Sequence, residues 1–583
     1  MSSSIKKIQR RSKIDLDDCH FSNKYPPILQ HIFASRGALS DQDTVTDLDR
    51  LLNPNSLKGL DGALSLIVEA LEEEQKILIV GDFDADGATS SALAILALRA
   101  MGAKDVDFLV PNRFEYGYGL TPKIVEVAKG LNPNLIITVD NGISSVDGVL
   151  AANAAGIKVL VTDHHLPGKQ LPEAAAIVNP NQPGCQFPSK NLAGVGVIFY
   201  VMSALRSRLK SCDWFSQRNL EEPRMADYLD LVALGTVADV VPLDMNNRIL
   251  VAQGLRRIRA GRTRPAIRAL LDVSRRNISR IVSSDLGFAI GPRLNAVGRL
   301  DDMSLGIRCL ISDDEYLTQE IASQMDDLNQ DRKAIESGMQ QEALSSLKSI
   351  NIKEGELPYG LCLYDPDWHQ GVIGILASRI KDQYHRPVIA FANEDSNKSI
   401  KGSARSIPGF HIRDALDSIA SKYPHVLSKF GGHAMAAGMS LEKEHYETFS
   451  SAFDEEVKRQ LSEGDLQAVL HSDGELSEQD FNLQIATELR EAGPWGQHFP
   501  EPAFDGEFIV VTQRIVGQKH LKLVLATDIS GKNTVDAIAF NIDPVIWPNE
   551  RAEKIRAVFK LDVNEYRGKE SLQLMIEYME IIQ

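Results

Sequence analysis

Short aliphatic runs alternate with helix-like segments between Lys76 and about Leu243. The runs are "KILIV", "VDFLV", "LIITVD", "IKVLVTD" and "AAAIVNP", and segments such as "GATSSALAILALRAMG" separate them. Such runs between amphipathic segments predict βαβ units and a parallel sheet covered on both faces. The sequence therefore constrains this region to an α/β fold, in which ligands bind beyond the carboxyl ends of the strands.

Acids and histidines follow three of these runs. "GDFDADG" places Asp82, Asp84 and Asp86 after the first run, Asp140 ends "LIITVD", and Asp163, His164 and His165 follow "IKVLVT". Because parallel strands end at a shared edge, we expect these side chains to gather there. Like charges that close together cannot all stay ionised without a counter-charge. Either water and distance weaken the repulsion between these charges, or a cation binds between them.

Aspartates and a histidine at one sheet edge can hold two divalent cations about 3.5 to 4 Å apart, which orient a phosphoryl group and generate hydroxide from water. A carboxylate-dominated ligand set favours Mn²⁺ or Mg²⁺ over a structural zinc. An isolated D-x-D is usually a solvated turn. Here it occurs with "VDNG", "DHH" and the buried-looking Asp239 of "LGTVADVVPL", so the pattern indicates phosphoester hydrolysis.

The composition favours a soluble, cytoplasmic, multidomain protein. At about 100 to 200 residues per domain, 583 residues predict roughly three to five domains. The five cysteines are spread out and never form C-x-x-C, so neither a disulfide framework nor a cysteine zinc site is expected. The basic N-terminus lacks the apolar core of a signal peptide, and no apolar run is long enough to span a membrane. The net charge of -16 argues against indiscriminate binding of polyanions.

Three further regions differ from the first. Ten arginines and a single acid, Asp272, lie between Arg248 and Arg280 and form a basic island. Residues 313–350 have helical apolar spacing and predict a long helix that connects two lobes. A second α/β unit is expected over 357–441, with the glycine-containing stretches "KGSARS" and "FGGHAMAAG". The β-rich end of the chain predicts a small barrel or sandwich.

The motifs resemble a known family. "DFDADG", "VDNGIS", "VTDHH" and "GTVADVVPL" match in order the four motifs of the DHH phosphoesterase superfamily. Within it, "GPRLNAVGRLDD", "DPDWHQGVIGILASRIK", "KGSARSI" and "GGHAMAAG" resemble the RecJ family of bacterial exonucleases. The resemblance covers the chain from about Lys76 to its end.

The resemblance implies a two-metal catalytic centre, with roles carried over by motif position. Asp84 and Asp86 would be ligands of the two ions, Asp140 the bridging ligand, His164 a ligand, Asp239 the fourth-motif ligand, and His165 would lie near the scissile phosphate. Many relatives have a histidine where this chain has Val80. Asp82 is expected to take over that coordination and is counted among the metal ligands.

The resemblance also implies a path for DNA. Its candidate residues are Arg293, Asn295 and Arg299 in "GPRLNAVGR", Trp368, His369 and Arg379 in the "DPDWHQG" region, Ser403 and Arg405 in "KGSARS", His433 in "GGHAMAAG", and Lys519 and Lys522, with His520 and Arg567, in the β-rich end. Other interpretations stay open. In these, Arg293 and Arg299 form ion pairs with Asp301 and Asp302, and Trp368 is a core side chain. The glycine-containing stretches are then tight turns with an incidental histidine.

The expected fold is α/β, with a parallel-sheet DHH catalytic domain, a second α/β DHH-associated domain joined by a long helix, and a C-terminal OB-like β-barrel. The expected boundaries are an N-terminal segment at 1–70 that packs on the catalytic domain, the catalytic domain at 71–310, the connector at 311–355, the DHH-associated domain at 356–455 and the barrel at 456–583. The two lobes are expected to enclose a strand that the barrel guides in.

The resemblance implies a metal-dependent exonuclease that degrades single-stranded DNA from its 5′ end in DNA repair and recombination, with two Mn²⁺ or Mg²⁺ ions. It also implies a single-stranded-DNA-binding protein and a repair helicase as partners, and no membrane. Two alternatives are a DHH phosphodiesterase for short oligonucleotides or cyclic dinucleotides, and a non-catalytic DNA-binding relative. The arginine island and the extra β domain weigh against the first, and the intact motif acids weigh against the second.

Overall fold

A computed structural model describes residues 6–111, 116, 119–354, 357–394, 398–427, 429–517, 519–528, 531–542, 547–549 and 552–582. The chain divides into two compact units. One consists of residues 11–329 and 473–583, and the other of residues 1–10 and 330–472. We call the first the catalytic unit and the second the accessory unit. No helix among the described residues combines the length and apolar composition that crossing a lipid bilayer requires.

The strands are numbered along the chain. They are β1 Lys7–Arg10, β2 Ile77–Gly81, β3 Val106–Leu109, β4 Leu135–Val139, β5 Lys158–Thr162, β6 Ala176–Val178, β7 Leu361–Tyr364, β8 Val388–Asn393, β9 Ser399–Arg405, β10 Lys429–Gly432, β11 Ala436–Glu442, β12 Val469–Ser472, β13 Phe504–Val516, β14 His520–Ala526, β15 Thr534–Ala539, β16 Lys554–Tyr566 and β17 Lys569–Ile582.

The helices are numbered in the same way. They are α1 Pro27–Ala34, α2 Leu60–Glu72, α3 Ala85–Ala100, α4 Pro122–Lys129, α5 Val146–Ala154, α6 Gly194–Ser211, α7 Trp214–Gln217, α8 Leu229–Ala238, α9 Met245–Arg259, α10 Pro265–Val273, α11 Ser283–Asp285, α12 Gly291–Leu300, α13 Ser304–Ile311, α14 Glu315–Glu354, α15 Ile373–Tyr384, α16 Ile412–Lys422, α17 Tyr446–Gln460 and α18 Leu483–Glu491. A π-helical turn, Leu286–Ile290, follows α11.

The predicted parallel sheet forms the centre of the catalytic unit. Its strand order is β3-β2-β4-β5-β6, and every neighbouring pair is parallel. Ile77 and Ile79 of β2 face one core, and Leu78 and Val80 face a second core with α4 and α5. This is a doubly wound order in which the chain changes direction between β2 and β4. The crevice at that switch point therefore opens beside the strands that carry the first two acidic motifs.

The C-terminal barrel has the predicted OB arrangement. Its five strands close in the order β13-β14-β15-β17-β16, with β15 and β17 parallel and the other pairs antiparallel. Barrel residues and sheet-covering helices belong to one hydrophobic core. Within it Phe33 of α1 stacks on Trp495, with ring centroids 6.0 Å apart. The barrel is therefore packed into the catalytic unit and does not form a separate body.

The accessory unit contains a mixed sheet in the order β10-β11-β9-β8-β7. Strands β7 and β8 are parallel, and the remaining pairs are antiparallel. Strand β1 pairs in parallel with β12, so residues 456–472, which the sequence assigns to the barrel domain, lie in this unit together with the start of the chain.

Helix α14 extends from Glu315 to Glu354, close to the predicted 313–350. The boundary between the two units falls inside it, after Asn329. Ile321 and Met325 are buried in the core of the catalytic unit, whereas Met339 and Leu347 are buried in the accessory unit. The apolar spacing that predicts one long helix thus serves two different cores.

The arginine island is largely structural. Most of its guanidinium groups bind protein atoms: Arg248 to the carbonyl oxygen of Asp43, Arg256 to Thr46, Arg257 to Asp227, Arg259 to the carbonyl oxygen of Ile281, Arg264 to Asp230, Arg268 to Glu315, Arg276 to Asp285, and Arg280 to Glu565 and Glu570. These partners distinguish the island from a surface of free cations. Its charges are matched by acids and carbonyl groups that are distant in sequence.

The Arg264–Asp230 pair fixes the start of α8. Asp230 is buried, and its carboxylate accepts hydrogen bonds from the Arg264 backbone N–H (3.1 Å), from the Arg264 Nη2 (3.0 Å) and from the Thr263 hydroxyl (2.9 Å). Removing one partner of such a pair leaves an uncompensated buried charge.

We expect Arg264→Ala to lower the free energy of unfolding by about 3 to 5 kcal/mol, because Asp230 would stay buried without its cation. Chemical denaturation followed by circular dichroism measures this change. Arg262→Ala is the matched control, because Arg262 is exposed two residues away. Equal effects of the two substitutions would contradict the structural role of Arg264.

Candidate metal centre

The four motifs meet at the switch point of the parallel sheet. Three overlapping groups of side chains bring their ligand atoms within 4.8 Å of one another: Asp82, Asp84 and Asp140; Asp86, His164 and Asp239; and Asp140, His164 and His165. Every residue that the sequence assigns to the catalytic centre belongs to at least one group. Because Asp140 and His164 each belong to two groups, the centre can hold more than one cation.

The N-terminus of α6 holds Asp86. The Gly194 N–H donates to Asp86 Oδ2 (2.6 Å), and the Val195 N–H donates to Oδ1 (2.9 Å). A side chain at Gly194 could not be accommodated, since its Cβ would lie 2.6 Å from the Asp140 Cβ. A helix N-terminus favours a carboxylate, so α6 fixes Asp86 and leaves room for Asp140.

The two histidines have different partners. His164 Nε2 lies 3.1 Å from Asp140 Oδ1 and 3.5 Å from Asp239 Oδ2, in the middle of the acids. His165 Nδ1 lies 2.8 Å from Asp163 Oδ1. Asp163 is buried and also accepts the backbone N–H groups of both histidines and of Ile143. The first residue of the D-H-H motif therefore orients the other two.

Burial and mutual repulsion raise the pKa values of three acids of the centre. Burial and the Asp84 charge raise the pKa of Asp86 to about 7, although the N–H groups of α6 oppose this shift. Burial, followed by the charges of Asp86 and Asp84, raises the pKa values of Asp140 and Asp239 well above the ordinary range. These three carboxyl groups resist ionisation unless a positive charge joins them.

The pKa of the second histidine is also raised, which in a histidine favours the charged form. Burial disfavours its charged form, but the hydrogen bond and the charge of Asp163 outweigh burial and raise the pKa of His165 to about 9. For Asp163, burial alone would raise the pKa, but the contacts with His165 lower it. His165 and Asp163 thus form an ion pair beside the acids.

The donor set fits divalent cations. Asp239 Oδ2 is buried and has no hydrogen-bond donor in the part of the chain that the structure describes. An ionised carboxylate oxygen in that position is costly unless a cation binds it. Carboxylate oxygens with one or two imidazole nitrogens are ligands that suit Mn²⁺ and Mg²⁺. The residues present therefore fit the two-ion centre that the sequence predicts.

Val80 contributes no ligand to this centre. Its side chain is buried in the core that β2 forms with α4 and α5. The Asp82 carboxylate instead lies in one ligand group with Asp84 and Asp140. This placement supports the expectation that Asp82 replaces the histidine of other relatives.

Helix α12 supports the metal-binding loop. The Ala85 N–H donates to the Asn295 side-chain oxygen (2.8 Å), so Asn295 positions the D-x-D turn. Arg293 is paired with Asp326 (2.6 Å) and not with Asp301 or Asp302, and its side chain is 12% exposed. Its binding of DNA stays a prediction. Arg299 lies half-buried in the same helix, where its role in DNA binding stays a prediction.

Two candidates of the accessory unit have structural partners. Trp368 is 6% exposed, lies in a core with Met339 and Leu376, and donates its ring N–H to Glu342 (2.8 Å). It cannot stack on a base, and the alternative of a core tryptophan is correct. Arg379 binds Glu336 (2.7 Å) but remains partly exposed.

The remaining candidates of the accessory unit come mostly from its glycine-containing stretches. Ser403 and Arg405 are two residues apart on β9, and Arg405 Nη1 donates to the Ser403 hydroxyl (3.2 Å). Gly374 makes room for them, since a Cβ there would lie 2.9 Å from both side chains. His369 accepts the Gly371 N–H, and His433 is exposed in the β10–β11 turn. Their binding of DNA stays a prediction.

The barrel candidates lie on its rim and outer face. Lys519 and Arg567 are exposed in the β13–β14 and β16–β17 loops. Lys522 pairs with Asp536 (3.0 Å), and the His520 ring packs against Phe540 with centroids 5.0 Å apart. OB folds bind single strands through loops at the rim and through the face of the second and third strands.

The sequence motifs do not reveal the groups that position the ligands. These groups are the backbone N–H groups of α6, the glycine at its start and the amide of Asn141, which donates to the Val80 and Val139 carbonyl oxygens. The glycine-rich stretch "AGVGV" at the start of α6 is the available signal for a close backbone approach.

The fold and site define a DHH phosphoesterase. The model of the DHH family, N-terminal domain, matches residues 76–236, the DHHA1 domain matches residues 358–459, and the RecJ OB domain matches residues 472–578. The first covers the sheet and all motif residues except Asp239. The second and third match the accessory sheet and the barrel.

Similarity to known proteins over nearly the whole chain defines the family more narrowly. The chain is 54% identical over 554 residues to the single-stranded-DNA-specific exonuclease RecJ of Dickeya dadantii (strain 3937), with 95% of this chain and 96% of the relative covered. Crystal structures of RecJ from Thermus thermophilus with Mn²⁺ (28% identity, TM-score 0.77, 97% of this chain and 80% of that chain) and with Mg²⁺ (26%, 0.72, 97% and 79%) have the same fold. The chain belongs to the RecJ family.

We expect Gly194→Ala to abolish most of the rise in melting temperature that saturating Mn²⁺ gives the unmodified protein, because the added methyl group displaces Asp140. Differential scanning fluorimetry with and without Mn²⁺ measures the shift. Gly196→Ala, on the same helix, is the control, since its Cβ would meet only the Leu192 side chain. An undiminished Mn²⁺ effect in Gly194→Ala would contradict the role of this close approach.

Proposed function

We propose that this protein is a metal-dependent exonuclease that hydrolyses single-stranded DNA from its 5′ end. The observation that carries the proposal is the overlap of three ligand groups at one switch point, which suits a centre for two cations. The single-strand specificity is supported by membership of the RecJ family, whose relatives are named for it. The 5′ polarity is implied by the resemblance alone. A role in DNA repair and recombination follows from the same resemblance.

The chain's own residues supply binding and orientation. Two Mn²⁺ or Mg²⁺ ions at the centre would orient the scissile phosphate and lower the pKa of bound water. Asp140 is central to the ligand set because it belongs to two of the three groups, and α6 fixes the opposite carboxylate of Asp86. Asp163 accepts a hydrogen bond from His165 Nδ1, so we assign the other ring nitrogen, Nε2, to the phosphate.

The barrel supports the choice of a long strand as substrate. Two of its loops carry the exposed cations Lys519 and Arg567. An enzyme that acts on dinucleotides needs no such surface, because a short substrate cannot reach the barrel and the metal centre together. We therefore prefer the exonuclease to the small-substrate phosphodiesterase.

We also propose a cytoplasmic location and two protein partners, a single-stranded-DNA-binding protein and a repair helicase. The cysteine pattern supports the location, and the family resemblance supports the partners. Affinity measurements with purified candidates would test each partner separately.

The first test is digestion of end-labelled DNA. The protein should release nucleotides from the 5′ end of single strands with Mn²⁺ or Mg²⁺, should spare duplexes, and should stop with a chelator. Asp140→Asn should lower the rate at least about a hundredfold while strand affinity is kept, because the cation ligands are lost and the phosphate contacts elsewhere remain. Asp147→Asn, an exposed acid on α5, is the control. Substantial activity of Asp140→Asn would remove Asp140 from the mechanism.

The second test concerns the barrel loops. Each phosphate contact contributes about 0.7 to the slope of log affinity against log salt for single strands. Replacing both Lys519 and Arg567 by alanine should therefore lower that slope by about 1.4 for long strands and leave dinucleotide turnover unchanged. The control is the double variant Arg262→Ala with Lys532→Ala, which removes the same charge from exposed positions outside these two loops. Equal slopes for the two double variants would show that the loops do not contact the strand.

A further inference from the structure

Two side-chain amides from one loop bind the backbone of the D-H-H motif. Residues 163–175 form neither helix nor strand, so the carbonyl groups of His164 and His165 lie outside the sheet ladder. The Asn181 amide donates to the carbonyl oxygen of His164 (2.6 Å). The Asn179 amide donates to the carbonyl oxygen of His165 (3.0 Å). Side chains can replace a ladder in pairing backbone groups, and the two asparagines do so for both histidines.

The loop that carries these amides is locally stiff. The two asparagines flank a proline in the stretch "NPN", residues 179–181. Pro180 fixes its own φ and restricts the residue before it to extended conformations. The Asn181 N–H donates to the side-chain oxygen of Asn179 (2.7 Å), which closes a local turn. Asn179 is fully buried. The turn therefore holds the two amides in one arrangement.

The Asn181 amide also connects the D-H-H motif to the segment that leads into α6. Its Nδ2 donates a second hydrogen bond to the carbonyl oxygen of Lys190 (3.2 Å), four residues before α6 begins at Gly194. The first N–H groups of α6 hold the Asp86 carboxylate. Asp86 and His164 belong to one ligand group. One amide thus joins the two segments that position these ligands.

We propose that Asn181 is a positioning residue that sets the separation between His164 and Asp86 and thereby the affinity of the centre for its cation. This inference rests on the cation centre of the proposed function. A histidine ligand depends on the groups that fix its orientation, and their loss typically weakens metal binding about 10- to 100-fold. Here the orienting amide acts on the backbone of His164.

The alternative is that Asn181 only stabilises its loop, and the next residue provides a comparison. Gln182 is buried, and its side-chain amide donates to the carbonyl oxygens of Lys58 (3.0 Å) and Ile177 (2.8 Å). Those carbonyl groups belong to the segment before α2 and to β6. Loss of either amide should loosen the loop, but only loss of the Asn181 amide should weaken cation binding.

The test compares Asn181→Leu with Gln182→Met, because both substitutions remove the amide and nearly preserve the side-chain volume. Titration of each metal-free protein with Mn²⁺, followed by electron paramagnetic resonance, measures the dissociation constant. Asn181→Leu should raise this constant about 10- to 100-fold, and Gln182→Met should leave it within about twofold of the unmodified protein.

A spectroscopic measurement separates positioning from a loss of structure. In the unmodified protein, the electron spin echo of bound Mn²⁺ should carry a nuclear modulation from the imidazole nitrogen of His164. Asn181→Leu should weaken this modulation, and Gln182→Met should keep it. The melting temperature without cations shows whether each variant is folded. Asn181→Ala replaces the leucine variant if that variant is unfolded.

The outcomes distinguish this inference from the proposed function. If Mn²⁺ binding depends on Asn181 but the unmodified protein digests no single strand, the proposed function is wrong and the inference stands. If Asn181→Leu keeps both the dissociation constant and the modulation, Asn181 does not position His164 and the inference is wrong. Equal losses in Asn181→Leu and Gln182→Met would assign the effect to the loop as a whole and would also overturn it.

Discussion

Repulsion among buried carboxylates at the switch point is the constraint on which the catalytic unit depends. The doubly wound sheet directs the ends of β2 and β4 into one crevice, where Asp82, Asp84 and Asp140 meet. The backbone N–H groups at the start of α6 compensate part of this charge at Asp86. Two bound cations would supply the remaining compensation, and their charge would also attract a substrate phosphate.

Several features of the fold keep this arrangement rigid. Gly194, which has no side chain, allows α6 to approach Asp140, and Asn295 of α12 holds the D-x-D turn through the Ala85 N–H. Asp163 orients both histidines through their backbone N–H groups. The Arg264–Asp230 pair anchors α8, at the end of which Asp239 lies. These groups contact ligands or the helices that carry them, so their substitution should affect cation binding first.

The sequence predicts the parts of the structure that have strong local signals. Aliphatic runs and motif acids predict the sheet, its ligand-bearing edge and the two histidines of the D-H-H motif, and the long apolar spacing predicts α14. Partners that are distant in sequence cannot be predicted in this way. Arg293 and most of the arginine island bind acids or carbonyl groups elsewhere in the chain, and Trp368 lies in a core that includes residues of α14. A cation or an aromatic residue in a sequence does not show whether the fold already supplies its partner.

The central claim is that Asp140 lies between two cations. Anomalous diffraction from crystals soaked in Mn²⁺, recorded near the manganese absorption edge, tests it most directly. The account predicts two peaks about 3.5 to 4 Å apart, both in contact with the Asp140 carboxylate. A single peak, or two peaks of which only one contacts Asp140, would contradict it.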